Sequence, residues 1–338
     1  MNRFLKREVQ ILSVDGGGIR GIFPTLILQE LERRISERRK NHPLCRAFDL
    51  MAGTSTGSII ALGLSAPERN KGRKTPLFSA ADLVEIYSER GLEIFPRHIF
   101  NELKTVRQAF TEKYNSGRFY EILTELLGDL SLQDALTNVL VTTYDINHNR
   151  PLIMKKRPGP VHGREKDPNF YLRDAIMGSS AAPTYFEPVQ VKTVDGASSH
   201  LLVDGSVFAK NPAMCALVEA QKIYPRARHF TILSLGTGVV DNTYSYQQMK
   251  SWGFLEWVLP SKGIPLASIM SDGQTKCVNY QLQYLPRVDY HRIDFPIDGC
   301  SRSIDDAEPE NLVCLREKAA ELIQENDSLL DDMARRLS

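Results

Sequence analysis

Ser55 is the residue whose surroundings most strongly indicate chemistry. It occupies the centre of GTSTG, which follows the apolar run AFDLMA and precedes the apolar run SIIALGL. A serine between two glycines at a strand-to-helix turn is held with its hydroxyl above the edge of the sheet, where it can attack a substrate. The N–H groups and positive dipole end of the following helix point at the same place. The motif predicts a nucleophile; the alternative is a packing turn whose glycines only let helix and strand approach.

A second glycine-rich segment, DGGGIRG, follows the apolar run VQILSV. Acyl transfer places negative charge on a carbonyl oxygen, and backbone N–H groups must already point toward it. Gly16, Gly17 and Gly18 supply such groups without side-chain obstruction. Together with the N–H of Thr56, this loop is predicted to form an oxyanion hole.

The same glycines also fit a different motif. Gly16-x-Gly18-x-x-Gly21 after a strand and before a helix has the spacing of a dinucleotide-binding turn. That interpretation requires an acidic residue about 20 positions further on, at the end of the second strand. The nearest candidate, Asp49, is 28 positions past Gly21 (49 − 21) and falls inside the predicted strand. A dinucleotide-dependent oxidoreductase is therefore the less favoured alternative.

Asp204 is the candidate activator of the serine. It follows the short apolar run LLV and precedes Gly205, so it is predicted to lie where a strand ends in a loop. A serine hydroxyl is a weak nucleophile until a base takes its proton, and a carboxylate at such a loop can reach it. A histidine base in a Ser–Asp–His order would have to be His229 or His291. Both lie in or beside predicted structural segments, so a histidine-containing triad is the less favoured alternative.

Three motifs in this order, DGGGIRG, GTSTG and VDGSVFAKNP, resemble the patatin-like phospholipases. GSSAAPTYFEP and LSLGTG add to the resemblance, which runs from about residue 8 to residue 285. The resemblance implies a Ser–Asp dyad with no catalytic histidine, in which Ser55 is the nucleophile and Asp204 its base. It also implies an oxyanion loop and supporting residues at Gly16, Gly17, Gly18, Arg20, Gly53, Gly57 and Gly205. The family often has Gly or Ala where this chain has Ser206, a departure that leaves both dyad residues in place.

The activity implied by the resemblance is hydrolysis of membrane phospholipid esters by a phospholipase A-type reaction. Ser55 is acylated, and water then releases the fatty acid. No metal ion or other cofactor is expected. Arg20 is expected to hold the glycine loop or to meet a lipid phosphate. The alternatives are a constitutive lipase or lysophospholipase of the same family, and a non-catalytic module that binds a nucleotide or a lipid.

Within the family, the compact bacterial form with DGGGIRG near its N-terminus is similar to the CapV-type effectors of the cyclic-oligonucleotide antiphage systems called CBASS. This resemblance implies activation by a cyclic dinucleotide, and control is reasonable because an unregulated phospholipase would damage its host membrane. Two basic loops, residues 68–76 and 155–168, are candidates for phosphate contact, with solvated loops as the alternative. A homodimer is expected from the frequency of twofold assemblies. A nucleic-acid polymer is not an expected partner, because the net charge is only +1.

Residues 251–260, SWGFLEWVLP, contain both tryptophans, Trp252 and Trp257. Tryptophan favours membrane interfaces, so this segment is a candidate lid that contacts lipid. The alternative is an ordinary core helix.

The elements that must position these residues alternate between strands and helices. Strands are predicted at residues 9–14, 47–52, 139–144, 201–203 and 230–235, and helices at residues 21–40, 80–90, 116–127, 172–177, 212–223 and within 310–338. Such alternation predicts an α/β fold with a mostly parallel central sheet and helices on both faces. The resemblance makes this the three-layer α/β/α patatin-like fold. No Ser/Gly-rich linker divides the chain, so residues 1–338 are predicted to form one domain, with a core at about 8–285 and a C-terminal helical extension at 286–338.

Composition agrees with this class of protein. The 338 residues are 42% hydrophobic and 25% charged, which is typical of soluble domains and excludes a disordered chain, a fibre and a coiled coil. The cysteines are odd in number and form no CxxC pair, so we expect neither a disulfide framework nor a zinc site, and reduced thiols favour the cytoplasm. No signal peptide is expected, and no run approaches the ~20 apolar residues that span a membrane. The sequence thus predicts a cytoplasmic protein that acts peripherally at the inner membrane.

Overall fold

A mostly parallel sheet forms the centre of the computed structural model, which describes residues 6–68, 75–95, 116–157, 167–240, 243–258 and 265–338. The strand order is β5-β6-β3-β2-β1-β7-β8, and β4 pairs with β3. Neighbours among β3, β2, β1, β7 and β8 run parallel, whereas β4 and β6 run antiparallel to β3, and β5 runs antiparallel to β6. The strands are β1 (Glu8–Val14), β2 (Leu50–Thr54), β3 (Asn138–Asp145), β4 (Arg150–Lys156), β5 (Val189–Lys192), β6 (Ser199–Asp204), β7 (His229–Leu235) and β8 (Val288–Ile293).

Helices connect the parallel strands as predicted, whereas β3 is followed directly by β4, and β5 by β6, with no helix between them. Short 3-10 turns lie at Gly18–Gly21 and Leu132–Asp134. The described α-helices are α1 (Ile22–Arg38), α2 (Leu44–Ala47), α3 (Thr56–Ser65), α4 (Ala80–Glu89), α5 (Gly91–Ile94), α6 (Ser116–Leu127), α7 (Leu172–Ser180), α8 (Ser206–Ala209), α9 (Ala213–Ile223), α10 (Tyr246–Met249), α11 (Phe254–Val258), α12 (Pro265–Tyr284), α13 (Pro309–Glu325) and α14 (Asp327–Leu337).

Both faces of the sheet are buried, each in its own hydrophobic core. Leu12 and Val14 of β1 belong to the core that includes residues of α1, α3 and α7. Val9 and Ile11 belong to the other core, which includes residues of α9 and α12. Alternate side chains of a strand point to opposite faces, and a strand buried on both faces is therefore apolar throughout. This explains the continuous run VQILSV and confirms the predicted three-layer α/β/α fold.

The strand register brings the candidate residues to one edge of the sheet. Val14, at the end of β1, lies beside Gly53 of β2. Thr54, at the end of β2, lies beside Thr142 of β3. The next residue of β3, Thr143, is paired with Asp204 at the end of β6. The glycine loop after β1, Ser55 after β2 and Asp204 therefore converge at the carboxyl edge of the parallel strands, where α/β folds place their sites.

The C-terminal segment is more closely joined to the sheet than predicted. Strand β8 pairs in parallel with β7, so the sheet extends past residue 285 and the expected end of the core needs this correction. Its side chains are mostly half-buried, so its sequence, VDYHRI, lacks the apolar run that marks a central strand. The helices α13 and α14 lie where the sequence predicts them and pack against α1.

The cysteine prediction is wrong for one pair. Cys300 and Cys314 form a disulfide, with their Cα atoms 5.6 Å apart. Cys300 precedes α13 and Cys314 lies within it, so the fold of the chain, rather than a recognisable spacing motif, brings them together. Cys45, Cys215 and Cys277 are free thiols. Cys300 and Cys314 are therefore not reduced thiols, so they do not support the prediction of a cytoplasmic location.

No helix in the described part of the chain is both long enough and apolar enough to cross a membrane.

Met333→Ala tests whether α14 belongs to the folded unit. Met333 is fully buried in the core that includes residues of α1, so the truncation should lower the free energy of unfolding by about 2–5 kcal/mol. Urea denaturation followed by circular dichroism measures this change. The control is Arg335→Ala in the same helix, which removes an exposed side chain and should alter stability by less than about 0.5 kcal/mol. Equal stabilities of Met333→Ala and wild type would contradict the packing described.

Candidate active site

Ser55 occupies a strained turn between β2 and α3. Its backbone angles are φ 54° and ψ −122°, a conformation that is uncommon for any residue except glycine. Its N–H donates to Ser179 Oγ at 2.9 Å, and the Ser179 hydroxyl donates to the carbonyl of Thr142 at 2.8 Å. On the other side, the hydroxyl of Ser58 donates to the Ser55 carbonyl at 2.6 Å. The backbone of Ser55 is thus held on both sides while its side chain faces the carboxyl edge of the sheet.

The flanking glycines are needed for packing as well as for access. A Cβ on Gly53 would lie 2.0 Å from the carbonyl oxygen of Gly57, and a Cβ on Gly57 would lie 2.2 Å from the carbonyl oxygen of Val14. Gly205 is similarly confined, since its Cβ would lie 2.2 Å from Thr142 Oγ1. The glycines of GTSTG are therefore required for close packing, and this requirement is compatible with a nucleophile at the centre of the motif.

Asp204 lies beside Ser55 and is almost completely buried. Its carboxylate accepts the backbone N–H of Ser206 at 2.7 Å. Burial raises the pKa of Asp204 to about 6, while this N–H bond and the nearby hydroxyls of Ser55 and Ser206 oppose the rise. A carboxylate with this pKa is ionised at neutral pH yet more basic than an exposed one, which suits a general base.

The described histidines lie elsewhere. His229 begins β7 beside Glu8, at the opposite end of the parallel strands from Ser55. His291 lies in β8, with its Nε2 3.2 Å from Asp289 Oδ1. His200 hydrogen-bonds to Asp145. The two histidines that a Ser–Asp–His order would require are therefore not positioned to activate Ser55.

The backbone N–H groups of the glycine loop differ in whether they have a hydrogen-bond acceptor. The N–H of Gly16 donates to the carbonyl of Lys210 at 3.1 Å, so Gly16 is not available as an oxyanion donor and that part of the prediction needs correction. Its carbonyl accepts the hydroxyl of Thr237 at 2.7 Å. Among the described residues, the N–H groups of Gly17, Gly18 and Thr56 have no hydrogen-bond acceptor. These three donors are the ones left for a developing oxyanion.

The position of Gly18 can be occupied only by a residue without a side chain. Its φ is +59°, and a Cβ there would lie 2.0 Å from the carbonyl oxygen of Ile304. The neighbouring Ile19 N–H donates to that same carbonyl at 2.8 Å. The segment before α13 therefore fixes the far end of the glycine loop.

An ion cluster holds the near end of the loop. The guanidinium of Arg292 binds both carboxylate oxygens of Asp15, at 2.7 and 3.2 Å, and also contacts Asp294 at 2.6 Å. Burial raises the pKa of Asp15, and the charge of Arg292 opposes this rise. Since Asp15 precedes the glycines directly, Arg292 fixes where the loop leaves β1.

Arg20 contacts the glycine loop, as expected for the first of the two roles predicted for it. It is buried, and its Nε donates to the carbonyl of Gly17 at 3.4 Å. Burial lowers the pKa of Arg20 to about 10, so the side chain remains cationic at neutral pH. Its Nη1 has no hydrogen-bond partner in the described part of the chain.

A narrow cleft opens beside Ser55. Ser180 Oγ is buried in this cleft and has no hydrogen-bond partner within the described ranges. The rest of the described lining is mainly aromatic and apolar. The lining residues are Gly18, Ser55, Phe95, Phe119, Ser180, Ala182, Tyr185, Phe186, Ile304 and Asp305.

The dinucleotide alternative does not fit this geometry. Asp49 lies just before β2, at the amino end of the parallel strands, where it pairs with Lys6 and accepts the N–H of Gln10 at 2.8 Å. A ribose-binding carboxylate belongs at the opposite, carboxyl edge. Asp49 is therefore a structural residue.

Comparison with known proteins identifies the family. The sequence profile of the family described as "Patatin-like phospholipase" matches residues 12–217. Patatin-like protein 2 of Arabidopsis thaliana is 33% identical over 343 residues, which covers 94% of this chain and 83% of that protein. Patatin-2-Kuras 3 of Solanum tuberosum is 32% identical over 343 residues, which covers 95% of this chain and 85% of that protein. The solved structure of VipD from Legionella pneumophila aligns at 12% identity with a TM-score of 0.37, too weak a likeness to support any argument.

The chain belongs to the patatin-like phospholipase family, and it is a lipid acyl hydrolase.

Several site residues were not singled out from the sequence. Ser179 lies in GSSAAPTYFEP, so the motif drew attention to the segment without revealing that this hydroxyl holds Ser55. Arg292 lies in β8, a strand that the sequence did not predict, and it meets Asp15 only through the parallel pairing of β8 with β7. Thr237 follows β7 within LSLGTG, and it meets Gly16 because β7 pairs in parallel with β1. Strand order, which local motifs do not encode, creates these contacts.

Ser206→Ala tests the control of Asp204. The Ser206 hydroxyl is one of the groups that lower the pKa of Asp204, so its removal should raise that pKa. A general base is active when deprotonated, so with Asp204 in that role the acid limb of kcat/KM for ester hydrolysis should move upward, by about one pH unit at most.

The pH profile from pH 4 to 9 measures this shift on a soluble ester. Ser36→Ala, an exposed serine on α1, is the matched control and should keep the wild-type limb. An unchanged or lowered limb in Ser206→Ala would contradict the assignment of Asp204 as the titrating group.

Proposed function

We propose that this protein hydrolyses membrane phospholipid esters with Ser55 as nucleophile and Asp204 as general base. The observation that supports this most directly is that the Ser55 hydroxyl lies close enough to the buried carboxylate of Asp204 to lower its pKa, which burial raises to about 6. The turn presents the serine at the carboxyl edge of the sheet, beside a narrow cleft whose lining is mainly aromatic and apolar.

The proposed reaction proceeds in two half-reactions. Ser55 Oγ attacks the ester carbonyl while its proton passes to Asp204, and the oxyanion accepts N–H bonds from Gly17, Gly18 and Thr56. Collapse breaks the ester bond, and protonated Asp204 returns the proton to the leaving alcohol. Water then attacks the acyl-enzyme while Asp204 takes one of its protons. As the ester bond to Ser55 breaks, Asp204 returns this proton to Ser55 Oγ, which frees the fatty acid and restores both residues.

Arg20 supports the recognition of a phosphate-containing substrate. It is a buried cation next to the proposed oxyanion loop, and its Nη1 has no partner among the described residues. A buried donor without an acceptor is costly, and a substrate phosphate oxygen would satisfy it. Arg20 would then both hold Gly17 and meet the headgroup.

We further propose that the protein is a bacterial effector of the CapV type, switched on by a cyclic dinucleotide during phage infection. The support is the resemblance of the compact chain to such effectors and the danger of an unregulated phospholipase to its own membrane. On this proposal the protein is cytoplasmic, acts peripherally at the inner membrane and forms a homodimer. The basic loops proposed for phosphate contact lie mainly outside the described residues, at 69–74 and 158–166. A constitutive lipase or lysophospholipase is the alternative.

The test of function compares fatty-acid release by wild type and Ser55→Ala. The substrates are phosphatidylglycerol and phosphatidylethanolamine liposomes, each alone and with a panel of cyclic dinucleotides. Loss of a nucleophile typically costs several orders of magnitude in rate, so Ser55→Ala should release fatty acid at least about 1,000-fold more slowly. Wild type should be active only when one nucleotide is present.

Ser36→Ala is the matched serine control and should behave as wild type. Release by wild type without nucleotide would keep the hydrolase and overturn the switch. Full turnover by folded Ser55→Ala would overturn the dyad itself.

An exposed apolar segment supports contact with the lipid surface. No residue of α11 is buried, and the side chains of Phe254 and Leu255 are 79% and 62% exposed, so the core-helix alternative is wrong. The rings of Trp252 and Trp257 pack edge to face with centroids 5.5 Å apart. Helix α11 contacts α12, where Met270 is also exposed. An exposed apolar surface of this kind is typical of proteins that lie on membranes.

The double variant Trp252→Ala, Trp257→Ala tests this contact. Loss of two aromatic side chains from the interface should weaken binding to anionic liposomes by about 10-fold or more, as measured by vesicle sedimentation. Hydrolysis of a soluble ester should remain at the wild-type rate, because the segment is outside the described lining of the cleft. Unchanged liposome binding by the folded variant would eliminate the membrane role.

A further inference from the structure

A histidine–carboxylate cluster lies outside the site described above. Asp145 ends β3, His148 follows in the β3–β4 turn, and His200 lies in β6. Nδ1 of each histidine is 2.7 Å from Asp145 Oδ2. One potential ligand atom from each of the three residues lies within 4.8 Å of the others. Two imidazoles and one carboxylate form a common ligand set for zinc and related divalent ions.

Hydrogen bonding within the cluster leaves the carboxylate half satisfied. Asp145 is fully buried, and its Oδ1 has no hydrogen-bond partner among the described residues. An unsatisfied buried acceptor costs about 1–3 kcal/mol, more when it is charged. Since both histidines crowd the other oxygen, the cluster is satisfied more completely by a cation that binds the carboxylate and both rings.

The surroundings suit ligation by His200. Its Nε2 is 3.3 Å from Ser198 Oγ, so a second hydrogen bond can fix the tautomer that leaves Nδ1 free to bind a metal. Its ring packs edge-on against Phe170 with centroids 5.6 Å apart. These contacts fix the ring orientation, while the exposed side chain of His148 gives the cluster access to solvent.

The spacing requires only a small adjustment. Zinc–nitrogen and zinc–oxygen bonds are about 2.0–2.2 Å long, so ligand atoms around a tetrahedral ion are roughly 3.4 Å apart. The nitrogen–oxygen distances of 2.7 Å would therefore increase by less than about 1 Å. Movement of the exposed His148 side chain can supply much of this change.

We propose that Asp145, His148 and His200 bind a divalent transition-metal ion of the zinc class. The ion fastens the β3–β4 hairpin to β6, the strand that ends in Asp204. His200 and Asp204 are four residues apart on the same face of β6, or about 13 Å along the strand. The ion is therefore structural: it stabilises the strand that carries the proposed base and does not touch the ester. This assignment is independent of the proposed reaction.

The test uses metal-stripped full-length protein carrying Cys277→Ser, which removes an exposed thiol that could bind zinc. Isothermal titration with Zn²⁺ should show one equivalent bound, and zinc should raise the unfolding temperature. His148→Ala should weaken binding by more than about 100-fold, because loss of even an outer partner of a ligand costs about 10–100-fold. His148 is exposed, so this variant should fold. His200→Gln should show the same loss.

The control is His291→Gln, which removes a histidine beside a single carboxylate, Asp289. It should bind zinc as the parent does, and so should Ser55→Ala. Co²⁺ titration should produce a visible absorption band without the near-ultraviolet band of a cysteine thiolate. No saturable binding of Zn²⁺ or Co²⁺ by the parent, or binding unchanged in His148→Ala and His200→Gln, would overturn the proposal.

Discussion

A buried carboxylate that has no cationic partner among the described residues is the constraint on which the site depends. Asp204 is held by the backbone N–H of Ser206, and although the nearby hydroxyls of Ser55 and Ser206 lower its pKa, burial still raises that pKa to about 6. A folded protein tolerates such a group only where the surrounding structure fixes it. Here the pairing of Asp204 with Thr143 fixes it from one side, and its N–H bond to Ala181 fixes it from the other. The strained turn at Ser55 and the close contact between Gly53 and Gly57 then bring the hydroxyl to that carboxylate.

The glycine loop is organised by groups that are distant in sequence. Arg292, in a strand near the C-terminus, binds the carboxylate of Asp15. At the other end of the loop, the carbonyl of Ile304 accepts the N–H of Ile19. The C-terminal segment is thus part of the machinery that holds the proposed oxyanion donors. Helices α13 and α14 support it by packing against α1, the helix that follows the loop.

Much of this arrangement could be predicted from sequence because its central parts are contiguous motifs. The residues around Ser55 and Asp204 and the glycine loop each carry a local pattern, and the order of strands and helices followed from periodicity. Contacts between motifs could not be predicted in the same way. Gly16 belongs to the glycine run predicted to donate to an oxyanion, but its N–H donates to the carbonyl of Lys210, a residue that only the fold brings near. Likewise β8 lies at the edge of the sheet with half-buried polar residues, so its sequence resembles a loop.

The most direct test of the central claim is the rate at which a fluorophosphonate labels the protein as a function of pH, with the modified residue located by peptide mass spectrometry. One label per chain is expected, on Ser55, with a rate that falls as the pH drops through about 6 because Asp204 becomes protonated. Asp204→Asn should lose this labelling at every pH while remaining folded. Labelling of a different residue, or of Ser55 at an undiminished rate in Asp204→Asn, would contradict the account.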